Sequence, residues 1–254
     1  MRFASLGSGS EGNALLVQAG ATCIMLDCGF GIAETVLRLA RLGLSPEDVD
    51  AILITHEHED HSGGVARFSG KFGIPVWMSC GSWRMLGDEF GAVTVNRIEG
   101  QQRFHIGDID LTPYTVPHDA REPLQFVFGD GARRLGVLTD AGSITSRIRS
   151  VLDGCDALVL ECNHDLEMLR NGRYPPSLKQ RISSRLGHLA NDEAAGLLSD
   201  IECGRLQHIV AAHLSRQNNT PDLARAALAG ALNCALEWIG VADQDGGLDW
   251  REIG

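Results

Sequence analysis

The chain has no run of about 20 apolar residues, so no segment is long enough to cross a bilayer as a helix. The first residues, MRFASLGSGSEGN, hold one Arg and lack the apolar stretch of a secretory leader. A cytoplasmic protein without membrane contact is expected. No CxxC pair occurs among the seven cysteines, whose number is odd. Most of Cys23, Cys28, Cys80, Cys155, Cys162, Cys203 and Cys234 sit in apolar runs such as ATCIMLDC. That favours buried thiols in a reducing compartment over a disulfide framework or a thiolate zinc site. An excess of positive charge is also missing. The net charge of −11 argues against a generic nucleic-acid coat. Nor does a low-complexity linker or a fixed-period repeat interrupt the chain.

What is present is an ordinary globular composition, 44% hydrophobic and 22% charged, in a length that can bury a substantial core. Short apolar runs alternate with helical stretches. Strands are expected at 1–6, 13–18, 22–27, 51–55, 75–78, 93–95, 109–116, 124–128, 134–139, 157–161 and 208–212. Helices are expected at 31–42, 62–72, 82–88, 143–152, 165–170, 191–202 and 220–236. Thr220-Pro221 supplies a capping hydroxyl before a first-turn proline. Asn191-Asp192-Glu193 offers a cap and an acidic first turn. Hairpins are read near Gly12 and at Gly129-Asp130-Gly131. The pattern points to one α/β domain over residues 1–254, built on two sheets.

Several of these strands run directly into a residue that binds metal or moves protons: Asp27, His56, His118, Asp140, Glu161 and His213. Strand ends are where sites collect in α/β folds, so these residues are expected to share one rim. The densest segment is His56-Glu57-His58-Glu59-Asp60-His61. In an extended stretch His56 and His58 share a face and can grip one ion. Asp60 and His61 project differently and suit a second ion, while Glu57 and Glu59 point away. Imidazole and carboxylate donors fit Zn²⁺, and also Mn²⁺ or Fe²⁺. His118, Asp140 and His213 are the natural completion.

The HxHxDH segment followed by separate His, Asp and His at later strand ends resembles the metallo-β-lactamase fold superfamily. That resemblance implies a four-layer αββα sandwich with two divalent metal ions at one edge. It implies His56, His58 and His118 on the first ion and Asp60, His61 and His213 on the second. Asp140 would bridge them, and Asp27 would support the ligands from behind. SLGSGSEGNA, ECNHDLEMLRNGRYP, GHLANDEAA and AHLSRQNNTPDLA are similar to the YycJ (WalJ)-like group. This group is cytoplasmic and is described as metal-dependent nucleases with 5′-to-3′ exonuclease activity. More distantly, the Glu161, His188 and His213 blocks resemble other phosphodiesterases of the superfamily.

The resemblance implies a bridging hydroxide that attacks phosphorus in line, with Asp60 orienting it or taking its proton. His188, oriented by Glu161, would protonate the leaving oxygen. The bland alternatives are that His188 caps the helix near Asn191 and that Glu161 is structural. Arg170, Arg173, Lys179, Arg181 and Arg185 fall within sixteen residues that hold no acidic side chain. Arg173, Lys179 and Arg181, with Tyr174, read as a clamp for a polyanion, or as a solvated loop that balances an acidic body. The Gly7–Asn13 loop reads equally as a phosphate cradle or a hairpin. His105 and His208 read as structural, and His164 is left open. The expected substrate is nucleic acid, DNA ahead of RNA. The alternatives on the same scaffold are a small cyclic phosphodiesterase and a thioester or lactone hydrolase. A metal-binding module without turnover is a third. A homodimer is compatible with the chain's size.

Overall fold

The computed structural model describes residues 1–254. Its first half carries strands β1 (Arg2–Gly7), β2 (Ala14–Ala19), β3 (Thr22–Leu26), β4 (Ala51–Leu53), β5 (Val76–Ser79) and β6 (Val95–Ile98). Among them lie helices α1 (Ile32–Arg41), α2 (Glu59–Ser62), α3 (Val65–Phe72) and α4 (Cys80–Leu86). Next come β7 (Phe104–Ile106), β8 (Ile109–Thr115), β9 (Leu124–Gly129) and β10 (Arg134–Leu138). The second half continues with α5 (Ser146–Leu152), β11 (Ala157–Glu161), α6 (Leu166–Asn171), α7 (Pro176–Ile182) and α8 (Asn191–Asp200). It closes with β12 (His208–Ala212), α9 (Pro221–Leu232), β13 (Ile239–Val241) and β14 (Leu248–Glu252).

Two seven-stranded sheets result, ordered β14-β1-β2-β3-β4-β5-β6 and β13-β12-β11-β10-β9-β8-β7. Pairing is parallel from β3 to β6 and from β10 to β13, and antiparallel elsewhere. Alternation along each strand sorts the side chains into two faces. Phe3, Ile24, Leu111, Phe126, Val137 and Val210 meet between the sheets. The opposite faces pack on helices: Met25, Ile52 and Met78 with Leu39 of α1 and Phe68 of α3, and Leu158, Leu160 and Ile209 with Leu152, Leu197 and Leu228. The order is therefore helix, sheet, sheet, helix, as expected. Each large apolar side chain sealed here contributes about 1.5–3 kcal/mol.

The departures are local. Residues 62–72 do not form one helix: a single turn at α2 is separated from α3 by Gly63-Gly64. The last helix stops at Leu232 because Asn233 adopts a left-handed conformation (φ 50°). Strands β7, β13 and β14 and helix α7 were not expected. β7 and β13 are three residues long, and β14 is an edge strand with mostly exposed side chains, so none carries a strong period. Thr220 caps α9 as expected. At α8 the capping residue is Ala190, not Asn191; Glu193 reaches back to the Ala190 amide while Asn191 bonds Asn219. No helix is long and apolar enough to cross a membrane.

Candidate metal centre

The parallel strands deliver their following residues to one rim. Asp27, Asp140 and His213 leave β3, β10 and β12 with positive φ, at 62°, 51° and 55°. Left-handed backbone is sparsely populated outside glycine, and its concentration here is stored local strain. It turns each side chain into the rim instead of along its strand. Three loops are laced together there. The Gly142 amide donates to the Pro117 carbonyl, and the Asp119 amide donates to the Leu186 carbonyl. Gly142 lies so close to the Arg185 backbone that a Cβ would stand 2.5 Å from a carbonyl carbon. These contacts set His118, Asp140 and His188 side by side.

His56, His58 and His118 form one donor group, and Asp60, His61 and His213 a second. His58 Nδ1 lies 3.0 Å from His56 Nε2 and 3.3 Å from His118 Nε2. Nitrogens on a tetrahedral zinc ion, ~2.0–2.1 Å from it, stand ~3.3 Å from one another, so this spacing fits. In the second group His61 Nε2 and His213 Nε2 lie 3.3 and 3.4 Å from Asp60 Oδ2. Asp140 faces both groups, 3.1 Å from His61, 3.4 Å from His213 and 4.0 Å from His118. Its Oδ2 is buried and makes no hydrogen bond of good geometry, its nearest neighbour being His61 Nε2 at 3.1 Å. An orphaned buried carboxylate oxygen among imidazole nitrogens is the donor chemistry a divalent cation satisfies.

The surrounding bonds set the tautomers. His118 Nδ1 donates to the Gly187 carbonyl at 3.1 Å, and His61 Nδ1 lies 2.8 Å from Asp27 Oδ2. Thr55 Oγ1 donates to Asp27 Oδ2 and stands 2.9 Å from His56 Nδ1. With those Nδ1 atoms protonated, the Nε2 lone pairs of His56, His61 and His118 point inward. Burial pushes the His56 pKa well down, and the neighbouring His61 adds to this. Burial opposes protonation of His61, yet Asp140 and Asp27 raise it well above the usual range. Burial likewise opposes ionisation of Asp140, but His213 and His61 hold it well below the carboxylate range. The carboxylates thus draw positive charge onto the cluster, and a metal ion competes with protons for the same lone pairs.

Beside this group, His188 Nδ1 lies 2.7 Å from Glu161 Oε1, while Glu161 Oε2 accepts the Ala141 amide. The His188 ring is 22% exposed and opens on a cavity of about 180 Å³. Tyr174, Leu178 and Arg181 line that cavity, and Arg181 is held at 2.7 Å by Asp119. Lys179 and Arg173 do not join it. The Lys179 amine bonds the Arg170 carbonyl, and Arg173 is exposed. Glu57 points away, as expected, and takes the Arg121 amide. His208 bonds the Glu252 carbonyl, and His105 is exposed. Ser8, Asn13, Thr55 and Asn163 escaped sequence reasoning. Ser8 Oγ accepts the His213 amide, Asn13 Nδ2 lies 3.3 Å from Asp60 Oδ2, and Asn163 donates to the His213 carbonyl. Small polar residues in a Gly/Ser-rich hairpin look like turn formers, so only the fold shows their use.

Residues 22–213 match the family model described as Beta-lactamase superfamily domain. Exodeoxyribonuclease YycJ of Bacillus anthracis is 36% identical over 237 residues, 91% of this chain and 89% of that protein. The chain belongs to the β-lactamase superfamily, in its YycJ/WalJ group. Exodeoxyribonuclease WalJ of Streptococcus pneumoniae is 33% identical over 249 residues, 94% of this chain and 91% of that protein. Among solved structures, the metallo-β-lactamase fold protein YhfI from Bacillus subtilis superposes with a TM-score of 0.78 at 16% identity, covering 98% of each chain. Zn²⁺-bound PqqB from Methylobacterium extorquens superposes at 0.74 with 18% identity, covering 99% of this chain and 100% of that one. The superfamily membership and the two donor groups agree on a site for divalent metal.

Proposed function

We propose that residues 1–254 act as one hydrolase domain, a metal-dependent nuclease that cleaves phosphodiester bonds at DNA ends in the 5′-to-3′ direction. The observation that carries this reading is the His188–Glu161 pair, set against the metal ligands and open to a cavity lined by Arg181 and Tyr174. The names of the relatives from Bacillus anthracis and Streptococcus pneumoniae support DNA as substrate.

In this reading His56, His58 and His118 would hold one divalent ion and Asp60, His61 and His213 another, zinc, manganese or iron, with Asp140 available to both. Such ions supply an acidified water and neutralise charge on the phosphoryl oxygens. The chain's own groups do the rest. Burial disfavours the Asp60 carboxylate, but hydrogen bonds from His213 and His61 hold its pKa below the usual range. Asp60 is thus suited to orient the attacking water more than to store its proton. Burial works against a proton on His188, yet the Glu161 carboxylate raises its pKa to about 9. Glu161 thus biases His188 toward holding a proton that it can give to the leaving oxygen. Arg181 would hold a phosphate and Tyr174 would stack on a terminal base.

Cleavage of a 5′-labelled duplex with Mn²⁺ or Zn²⁺, run beside bis-p-nitrophenyl phosphate and a thioester, tests the reading. Release of short 5′ products from the duplex is expected. Turnover of the thioester alone would overturn it.

A further inference from the structure

A second basic feature lies away from the metal centre, on the outer face of the second sheet. Beyond α5, the outward-facing Asp110, Thr112 and Val127 floor a hollow of about 650 Å³. Helix α5 forms one wall, drawn against β10 at Gly136, where a Cβ would stand 2.5 Å from the Leu152 side chain. Arg103, Arg133, Arg134, Arg147 and Arg205 line this hollow, and Asp110 is the only carboxylate among the lining residues. That is five of the 22 basic residues of a chain with net charge −11.

Part of this basic surface is built in advance. Arg133 Nη1 and Arg205 Nη2 reach the same oxygen of Asp156, at 3.2 and 2.9 Å. The Asp156 side chain is fully buried, whereas the Arg133 and Arg205 side chains are 36% and 56% exposed. The carboxylate therefore anchors two guanidinium groups from below and leaves most of their five N–H donors free. Arg134 is fixed through the Val151 and Asp153 carbonyls. Arg103 and Arg147 are exposed, and neither side chain is among the hydrogen-bonded or ion-paired groups of the protein. The loop that carries Arg181 and Arg185 also meets the segment leading into α5, where Ser143 Oγ donates to the Arg185 carbonyl and Arg147 sits in the first turn.

We propose that this hollow is a second nucleic-acid site, which holds the phosphate backbone of the substrate beyond the bond being cleaved. The proposal rests on the nuclease reading above. Arg134 opens β10 and Asp140 lies two residues beyond its end, so the two are at most ~20 Å apart at 3.3 Å per residue. At 3.4 Å per nucleotide along one strand of a duplex, that is at most about six nucleotides. Long substrates engage the hollow and short ones do not. Clustered arginines with free donors suit phosphate oxygens, and such contacts carry no sequence information.

The test is the double variant Arg103→Glu, Arg147→Glu, chosen because neither side chain supports the fold. Binding of fluorescein-labelled DNA is read by anisotropy in EDTA, without turnover, using oligonucleotides of about 4 and about 30 nucleotides, and cleavage is measured separately. For the long DNA, the dissociation constant should rise about tenfold or more and the salt slope should fall by about two. Affinity for the short DNA and turnover of bis-p-nitrophenyl phosphate should stay at wild-type levels. Unchanged binding and salt slope on long DNA would overturn the proposal, even if the protein is a nuclease. Wild-type protein that binds long DNA through these arginines but cleaves none would uphold the second site and refute the nuclease reading. Wild-type protein that binds no long DNA would remove the site. So would a change in oligomeric state of the variant by sedimentation, which would assign the hollow to a second copy of the chain.

Discussion

His188 and Glu161 are joined by a 2.7 Å contact in which the carboxylate is fully buried and the imidazole is 22% exposed. The pair has the asymmetry of a proton donor and its holder: one end is fixed, the other meets the cavity. Burial alone would lower the His188 pKa, and the Glu161 carboxylate raises it to about 9. A general acid must carry its proton, so kcat is expected to fall as pH rises through the His188 pKa, which divalent ions at the neighbouring donors would hold below the metal-free value. Glu161→Gln removes the main group raising the pKa, so the alkaline limb should move down by about 1–3 pH units. A kcat–pH profile at saturating metal checks this. An unmoved limb would assign the titration to another group.

Asp140 faces both donor groups and has an oxygen with no hydrogen bond of good geometry. Asp140→Ala is expected to lower metal content and to reduce turnover by more than about 100-fold, beyond what supporting residues cost. Elemental analysis of the purified variant checks it. Full metal content would deny Asp140 a place among the ligands.

Asp27 touches His61 directly and reaches His56 through Thr55. Asp27→Asn keeps the shape and removes the charge. Metal affinity should fall by about 10–100-fold, with activity returning as metal concentration is raised. Titration of apoprotein with Zn²⁺ or Mn²⁺ would reveal the shift. A loss of activity that added metal cannot restore would contradict this supporting role.

Arg181 lines the cavity beside His188 and is paired with Asp119 at the surface. The pair is exposed, so Arg181→Ala should change stability by less than about 1 kcal/mol. Loss of one charge-assisted phosphate contact should raise KM for an oligonucleotide about tenfold. Turnover of bis-p-nitrophenyl phosphate, which is too small to need the clamp, should change little. Equal losses on both substrates would place Arg181 in the chemistry instead.

Burial raises the Cys23, Cys28 and Cys155 thiols to about 12, 11 and 11. Cys162 is buried and raised as well. Burial and the neighbouring Glu202 raise Cys203 too, and because the thiolate is the reactive form, brief treatment of native protein with iodoacetamide near pH 7 should modify chiefly the half-buried Cys80 and Cys234. Peptide mapping by mass spectrometry would show it. Early modification of Cys28 or Cys162 would mean that the sheets open more readily than their packing implies.

Most of the clustered donor residues were legible in the chain because their signals are local. A run such as Ala51-Ile52-Leu53-Ile54-Thr55-His56 states both the strand and the donor that ends it. The spacing of His56, His58, Asp60 and His61 pointed to two groups of possible donors lying close together. Apolar strands alternating with helices pointed to one α/β fold on two sheets, and the four-layer order was what the resemblance implied. Short or weakly periodic elements such as β13 and α7 left no comparable trace.

Tertiary structure decided everything that depends on residues distant in sequence meeting in space. It brought Asp140 between the two imidazole groups and gave His118 its tautomer through the Gly187 carbonyl. It turned Ser8 and Asn13 from hairpin residues into braces for His213 and Asp60. It also divided the basic segment: Arg181 was left at the cavity, and Lys179 was tied to a backbone carbonyl. Five scattered arginines became one hollow for the same reason. A side chain's type is written at its own position, but its partners and field are set by whichever loops the packed sheets bring beside it.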